Sequence, residues 1–218
     1  MFFVFSPNML KTFETCPKKF DFKYNQSVNM PVNDTIFESG KNIHAIASYF
    51  LNGNDINKFE NILTSKESEM WNFLKSIKYF SYELVNTEYN LNVKKGDYTF
   101  GGRLDALFKN NDCYYILDYK TGKIPKNSKY DFQTMIYLLA VRDYFQTTNV
   151  KFVYVDLKNK TEEIIELTEE LKEEYEKILI DIARRINKHD YSLSKTKNYC
   201  DCEYKLICRG GGGKYISW

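Results

Sequence analysis

Residues 81–120 constrain the fold of this chain most strongly. They read SYELVNTEYNLNVKKGDYTFGGRLDALFKNNDCYYILDYK and are rich in Tyr, Leu, Val, Ile and Phe. Turn signals interrupt the run at Lys95–Asp97 and again at Asn110–Asp112. Strand-forming residues bounded by such turns are typical of paired strands. The sequence therefore predicts a meander of three antiparallel strands in the middle of the chain.

The flanking segments carry helical patterns. Ser6 and Pro7 are a typical helix cap and first helical residue, and the pattern then predicts helices over Thr35–Leu51 and Asp55–Lys78. Beyond the meander, the pattern predicts a helix over Tyr130–Phe145, strands in VKFVYVDL and TEEIIELT, and a long helix capped by Thr168. This order predicts an α/β fold with a central mixed sheet flanked by helices.

Composition sets limits on function. The 218 residues are 43% hydrophobic and carry a net charge of +2, so the chain can bury a core and any basic surface must be local. No apolar run reaches the roughly 20 residues that span a bilayer. The apolar start MFFVFSPNML lacks a basic region and a cleavage site. We therefore expect no membrane association and a cytoplasmic location, which would be the host cytoplasm for a viral protein.

The third strand of the meander ends in an acid and a base, Asp118 and Lys120. Residues two apart in a strand point to the same face, so these two side chains share one face. A two-residue turn at Asn111–Asp112 would place Asp105 directly across from Asp118, and Arg103 across from Lys120. Opposed side chains in antiparallel strands are near neighbours, so the two carboxylates can bind one cation.

Two carboxylates, with the backbone carbonyl of Tyr119 as a further oxygen, suit Mg²⁺ or Mn²⁺. Lys120 would then hold a scissile phosphate or help to deprotonate an attacking water, while the metal acts as a Lewis acid. A second interpretation stays open at this point, in which Asp118 and Lys120 are a solvated ion pair at a strand end.

Three of the five cysteines cluster near the C-terminus, in NYCDCEYKLICRG. These are Cys200, Cys202 and Cys208. Clustered cysteines in a reducing compartment hold metal more often than they form disulfides. Cys113, at a strand start, is expected to be a packed thiol.

The motifs GGRLDAL, YYILDYKTG and QTMIYLLA together resemble the PD-(D/E)XK nucleases. The resemblance is to the RecB-like branch, which includes the AddB nuclease domain and CRISPR-associated adaptation exonucleases. It implies a restriction-endonuclease-like core. It also implies a site that is assembled from residues on several elements: His44 as a metal ligand, Asp105, Asp118, Tyr119, Lys120, Gln133 and Tyr137, with Glu88 and Arg103 as further candidates.

The cysteines extend the resemblance to RecB-like nucleases that carry an iron–sulfur cluster. In those nucleases a fourth cysteine lies near the N-terminus in a Cys-Pro context, which ETCPKKFDFKY matches. The resemblance implies a 4Fe–4S cluster on Cys16, Cys200, Cys202 and Cys208. Residues 1–30 and 190–218 would be joined by this cluster. Both segments would belong to a single nuclease domain, residues 1–218. One residue separates Cys200 from Cys202, where the family usually has two. A zinc ion on the same thiolates and a set of unrelated buried cysteines are the alternatives.

The predicted function is that of a metal-dependent DNA nuclease, and specifically an exonuclease. Its substrate would be DNA that is single-stranded or has a free end, and its partners would be repair or CRISPR adaptation proteins. Arg103 and three lysines near the site, Lys123, Lys126 and Lys129, are candidates for phosphate contacts. One alternative is a catalytically silent module that binds DNA ends in a repair or CRISPR adaptation complex. Another is a protein whose chain ends are joined by a zinc ion and that does not bind or cleave nucleic acid.

Overall fold

The computed structural model describes residues 4–30, 38–191 and 202–209. The strands are β1 (Val4–Phe5), β2 (Glu83–Lys95), β3 (Tyr98–Asn110), β4 (Cys113–Lys120), β5 (Val150–Asp156) and β6 (Thr161–Glu166). The helices are α1 (Pro7–Thr15), α2 (Pro17–Phe20), α3 (Glu38–Leu51), α4 (Asn57–Glu60), α5 (Ser65–Ser76), α6 (Phe132–Phe145), α7 (Glu169–Lys188) and α8 (Lys205–Arg209). Shorter helical turns cover Asp21–Asn25, Lys78–Ser81 and Ser128–Tyr130.

The strands form one mixed sheet in the order β1-β3-β4-β5-β6, with β2 paired along the other edge of β3. β1 is parallel to β3 and β4 is parallel to β5, whereas the remaining pairs are antiparallel. The meander of β2, β3 and β4 and the α/β class are therefore confirmed. β1 was not predicted, because a two-residue strand carries too little pattern to be recognised.

The turn between β3 and β4 has the predicted two residues, and Asn111 adopts a left-handed conformation with φ +52°. Asn110 pairs with Cys113, and the ladder continues in the same register to Ala106 and Leu117. The predicted register is thus confirmed along the paired residues. Pairing stops one position before Asp105 and Asp118, where the two strands separate and open the site.

Both faces of the sheet are covered by apolar side chains. One cluster joins α1, α6 and α7 to the sheet and includes Leu10, Ile136 and Phe152. The other joins α3 and α5 to the opposite face and includes Ile43 and Trp71. Full burial of each such side chain contributes about 1.5–3 kcal/mol. The sheet is therefore fixed from both sides at the end where the site lies.

The helix predicted over Asp55–Lys78 is wrong as a single element. The chain forms α4, then a turn, then α5 and a short 3₁₀ turn. Thr64 begins α5 with a reciprocal cap: its hydroxyl accepts from the Glu67 N–H at 3.3 Å, and the Glu67 carboxylate accepts from the Thr64 N–H at 2.9 Å. The Thr-x-x-Glu spacing is the signal that marks this second helix start.

The other helix predictions differ from the structure only at their ends. The helix predicted from Thr35 is described from Glu38, and its earlier residues lie outside the described ranges. α6 begins at Phe132 rather than Tyr130, because Asp131 caps it. Ser6 and Thr168 cap α1 and α7 as predicted. Across the three described ranges, no helix combines the length and the apolar character needed to cross a membrane.

Candidate active site

Asp118 and Lys120 lie at the C-terminal end of β4 and share the face toward α6. The Lys120 ammonium nitrogen is 2.6 Å from Asp118 Oδ2. Gln133, in the first turn of α6, links the two: its Nε2 donates to Asp118 Oδ1, and its Oε1 accepts from Lys120 at 3.3 Å. Because the Asp118 side chain is only 3% exposed, the pair is not the solvated strand-end pair of the second interpretation.

The N-terminus of α6 fixes the position of Gln133. Asp131 caps the helix, and its Oδ1 accepts from the Gln133 backbone N–H at 2.9 Å. Its Oδ2 lies 2.5 Å from the Lys11 ammonium of α1. A buried cap that is also ion-paired holds the first turn of the helix firmly. The side chain that orients Asp118 and Lys120 is thereby anchored through two elements.

His44 of α3 approaches the site from the other face of the sheet. Its Nδ1 lies 3.1 Å from Asp105 Oδ1, and its Nε2 lies 2.9 Å from the Tyr119 carbonyl oxygen. The Tyr119 N–H donates in turn to Asp105 Oδ2 at 2.9 Å. Both ring nitrogens face acceptors, so a doubly protonated ring satisfies both contacts. Burial alone would lower the pKa of His44, but the Asp105 carboxylate outweighs it and the pKa is raised.

Glu88 of β2 joins this group. Ligand atoms of His44, Glu88 and Asp105 lie within 4.8 Å of one another. The neighbouring pairs Thr87–Ala106 and Tyr89–Leu104 place Glu88 opposite Asp105. Glu88 has a left-handed backbone with φ +49°, a conformation that costs a non-glycine residue energy and is frequent at functional sites. The sequence suggested this residue only through resemblance, since its backbone conformation leaves no pattern.

Arg103 of β3 is the partner of Glu88, with its Nε 2.8 Å from Glu88 Oε2. Its side chain is 64% exposed, so it can reach solvent or a bound phosphate. The contact predicted from the register, Arg103 across from Lys120, lies beyond the last recorded pair of β3 and β4.

Asp118 is a buried carboxylate in a cationic setting. Burial and then the neighbouring Asp105 carboxylate raise its pKa, Lys120 and His44 oppose them, and the net effect is a pKa of about 6. Asp118 Oδ2 lies 2.6 Å from the Lys120 ammonium, and the Asp105 carboxylate is close enough to disfavour the charge of Asp118. A divalent cation held by the two carboxylates would offset that repulsion. The donor set of carboxylates, a carbonyl and an imidazole therefore fits a metal ion.

Tyr137 has a supporting position. It lies one turn after Gln133 on α6, and its hydroxyl donates to the Arg103 carbonyl at 2.8 Å. A Cβ on Gly102 would lie 2.7 Å from that hydroxyl oxygen, so any larger residue there would push the Tyr137 ring out of its position. The side chain thus holds the strand that carries Asp105, and it reaches backbone rather than a carboxylate.

The sequence profile of the PD-(D/E)XK nuclease superfamily matches residues 53–209, well over half of the chain. The chain belongs to this superfamily. The matched segment contains Asp105, Asp118, Lys120, Gln133 and Tyr137 and begins after α3. Nucleases of this superfamily use divalent metal ions, which agrees with the donor set described above.

Two known proteins resemble this PD-(D/E)XK nuclease. The CRISPR-associated exonuclease Cas4 of Francisella tularensis subsp. novicida (strain U112) is 28% identical over 147 residues, which cover 66% of this chain and 73% of that protein. The crystal structure of a candidate exonuclease from Eubacterium rectale superposes with a TM-score of 0.59 at 16% identity, covering 98% of this chain and 91% of that chain. The second likeness confirms the fold.

The C-terminal segment of this nuclease contacts its N-terminal helices. Glu203 pairs with Lys19 at 2.9 Å, and Tyr204 donates to the Val28 carbonyl at 3.0 Å while stacking on Phe22 at 5.6 Å between ring centroids. Three of the four predicted cluster ligands lie in the described ranges, and all three are half-buried: Cys16, Cys202 and Cys208. Cys200 lies outside the described residues. Cys113 is buried at the start of β4.

Proposed function

We propose that this nuclease is a divalent-metal-dependent DNA exonuclease that hydrolyses phosphodiester bonds. The observation that carries the proposal is the contact set at the end of β4, in which Gln133 joins a buried Asp118 to Lys120 beside Asp105. A structural ion pair would not need a second carboxylate, Asp105, close enough to disfavour the charge of Asp118. The name of the Francisella relative supports exonuclease activity.

The metal would be Mg²⁺ or Mn²⁺, held by Asp105, Asp118, the Tyr119 carbonyl and His44, with Glu88 as a further carboxylate. Such an ion supplies positive charge that polarises a phosphate oxygen and acidifies a water molecule. Oxygen-rich donor sets prefer these hard ions. The contacts of His44 with Asp105 and the Tyr119 carbonyl favour the protonated ring, so an ion bound by His44 would displace a proton from it.

Lys120 supplies a second positive charge beside the ion. Its ammonium can bind an oxygen of the scissile phosphate or take part in proton transfer from the attacking water. Gln133 accepts from Lys120 and so sets the direction of its side chain. Arg103 lies at the exposed edge of the site and can bind a neighbouring phosphate.

We also propose that an iron–sulfur cluster on Cys16, Cys200, Cys202 and Cys208 joins the chain ends. The contacts of Glu203 with Lys19 and of Tyr204 with Val28 support it, since they bring residues 202–209 onto the N-terminal helices.

Digestion of linear and closed DNA tests the proposal. End-labelled linear single strands and covalently closed single-stranded circles would be incubated with the protein and Mn²⁺. We expect the linear strand to be degraded to short products and the circle to survive. Equal digestion of both would make the protein an endonuclease, and no digestion of either would favour a silent end-binding module. The Francisella relative also supports a role beside CRISPR adaptation proteins, which pull-down from a cell that encodes them would test.

A further inference from the structure

A set of polar contacts joins α3 to β2 next to the active site, and the chemistry above does not use it. The Thr87 hydroxyl lies 3.0 Å from the Ser48 hydroxyl and accepts from Asn52 Nδ2 at 2.8 Å. The same Asn52 amide donates to the Ser48 carbonyl at 2.7 Å. Thr87 is only 9% exposed, so these partners replace the water that its hydroxyl would otherwise bind. We call Ser48, Asn52 and Thr87 the α3–β2 contact.

The sequence places this contact in line with His44. His44, Ser48 and Asn52 are spaced four residues apart, and residues at this spacing lie on one face of a helix. α3 ends at Leu51, and the backbone N–H of Asn52 still bonds to the Ser48 carbonyl at 3.2 Å. The helix face that presents His44 to Asp105 therefore also contacts β2, one and two turns further along.

Glu88 follows Thr87 at the point where the side chains of β2 change faces. Residues two apart in a regular strand point to the same face. Thr87 contacts α3, whereas Tyr89 packs against the apolar cluster on the opposite face, which includes α1, α6 and α7. Glu88 lies between them and absorbs the change with its left-handed backbone, φ +49°. Such a conformation persists only where the surroundings hold it.

The neighbouring strand β3 shows the same change opposite Glu88. Ala106 belongs to the apolar cluster on the α3 face, and Leu104 belongs to the cluster on the α6 face. Asp105 lies between these two and opposite Glu88. Both carboxylates thus approach His44 at the same place in the two strands. Facing carboxylates repel each other without a cation, so contacts beside them must hold the strands in this arrangement.

We propose that Thr87 is a positioning residue for the metal site. Its hydroxyl, held by the α3–β2 contact, fixes the strand directly before Glu88 and so keeps the Glu88 carboxylate beside Asp105 and His44. The backbone N–H of Thr87 donates to Asn86 Oδ1 at 2.9 Å, which holds the same residue through its main chain. Thr87 itself touches neither the ion nor DNA. The inference rests on the proposed metal site and names a residue that gives the site its shape.

Arg103 shows why such positioning is needed. Its Nε lies 2.8 Å from Glu88 Oε2, and its side chain is 64% exposed, so it offers the same carboxylate an alternative partner at the edge of the site. If the backbone of Glu88 relaxed to an extended strand, regular alternation would turn its side chain to the face opposite Thr87 and away from His44. Loss of the Thr87 hydroxyl should therefore remove one carboxylate from the metal site.

Calorimetric titration of Mn²⁺ into the protein at pH 8, without DNA, tests this role. Thr87→Val keeps the branched shape of the side chain and removes the hydroxyl. We expect it to weaken Mn²⁺ binding by about 10-fold, the lower end of the range for residues that orient metal ligands. Thr87→Ser keeps the hydroxyl and should bind Mn²⁺ nearly as tightly as wild type. Asn52→Ala, at an exposed position, removes the amide donor and should weaken binding in the same direction.

A double-mutant cycle separates positioning from a general loosening of the fold. Glu88→Gln removes the proposed carboxylate ligand and should weaken Mn²⁺ binding by itself. In that background Thr87→Val and Asn52→Ala should have no further effect, because the carboxylate that they help to position is gone. A loss of affinity that persists undiminished in the Glu88→Gln protein would overturn the proposal, since Thr87 would then only maintain the fold.

Thr168→Val is the matched control. It is the same substitution at the cap of α7, where the Thr168 hydroxyl accepts from the Leu171 N–H at 3.2 Å, and α7 packs on the face of the sheet opposite α3. The control should leave Mn²⁺ affinity unchanged. Unchanged affinity in Thr87→Val, or an equal loss in the control, would overturn the role of Thr87 while leaving the metal site in place. Failure of the wild-type protein to bind Mn²⁺ would instead contradict the proposed metal site itself.

Discussion

His44 Nδ1 lies 3.1 Å from Asp105 Oδ1, and the same ring contacts the Tyr119 carbonyl through Nε2. Both contacts favour the protonated imidazole at the position where a metal ion would bind. The pKa of His44 is raised, and burial raises the pKa of Asp118 to about 6. Acidification protonates both groups, and protons compete with the metal. Lower pH must then weaken binding of a divalent ion.

The first prediction follows from this competition. Affinity for Mn²⁺ should rise as pH increases through about 6, the pKa of Asp118, and should go on rising through the raised pKa of His44. Below these pKa values, binding of the ion should release at least one proton. Calorimetric titration in two buffers of different protonation enthalpy measures the release. His189→Gln, which alters the other histidine, should leave it unchanged. Identical heats in the two buffers would contradict the proposed exchange of protons for metal.

The second prediction concerns Gln133 as a positioning residue. Gln133→Leu removes the donor to Asp118 and the acceptor for Lys120, so the pKa of Asp118 should rise further and Lys120 should lose its orientation. We expect cleavage to fall by about 10- to 100-fold, as for other residues that orient metal ligands. The pH at which Mn²⁺ binding is half-maximal should also move upward. A leucine variant with an unchanged rate and an unchanged pH midpoint would show that Gln133 only packs.

The third prediction tests the contact between Gly102 and Tyr137. Gly102→Ala would place a methyl group 2.7 Å from the Tyr137 hydroxyl, and such overpacking typically costs about 1–3 kcal/mol of the free energy of unfolding. Tyr137→Phe removes the hydrogen bond to the Arg103 carbonyl, at a cost of about 0.5–1.5 kcal/mol. In the phenylalanine background the alanine should cost less, because the closest atom is gone. Strictly additive costs in urea unfolding would show that the two residues do not interact.

The fourth prediction concerns the joined chain ends. Protein purified without oxygen should be brown and contain iron and sulfide. Cys16→Ser should bleach it and lower its thermal stability, because cluster binding is coupled to folding. Cys113→Ser is the matched control and should stay coloured, since Cys113 is buried at the start of β4. If the anaerobic protein is colourless and contains one zinc per chain, the iron assignment is wrong and a zinc ion joins the chain ends.

The sequence predicts the part of the site that depends on strand geometry. Alternation along β4 places Asp118 and Lys120 on one face, and the two-residue turn at Asn111–Asp112 fixes the register of β3. Both are local rules of paired strands, and the hydrophobic pattern and turn chemistry specify them completely. The existence and type of most helices and strands follow from the same rules.

Features that depend on packing between elements could not be predicted in this way. Glu88 lies close to His44, and its backbone adopts a left-handed conformation there. The residue pattern of the sequence does not indicate that conformation. Tyr137 reaches the Arg103 carbonyl because α6 packs closely on β3. The division of α4 from α5 is a different case, because the cap formed by Thr64 and Glu67 is a local pattern that the sequence does contain.

The central claim is that Lys120 and Asp118 form a nuclease site, and one comparison of variants tests it most directly. Wild type, Lys120→Ala and a control, Lys58→Ala on α4, would be assayed on end-labelled linear DNA with Mn²⁺, with Mn²⁺ affinity measured on the same samples at pH 8. We predict that Lys120→Ala keeps metal binding but cleaves on the order of 100-fold more slowly or worse, while the control stays within severalfold of wild type. Cleavage by Lys120→Ala at the wild-type rate would contradict the account.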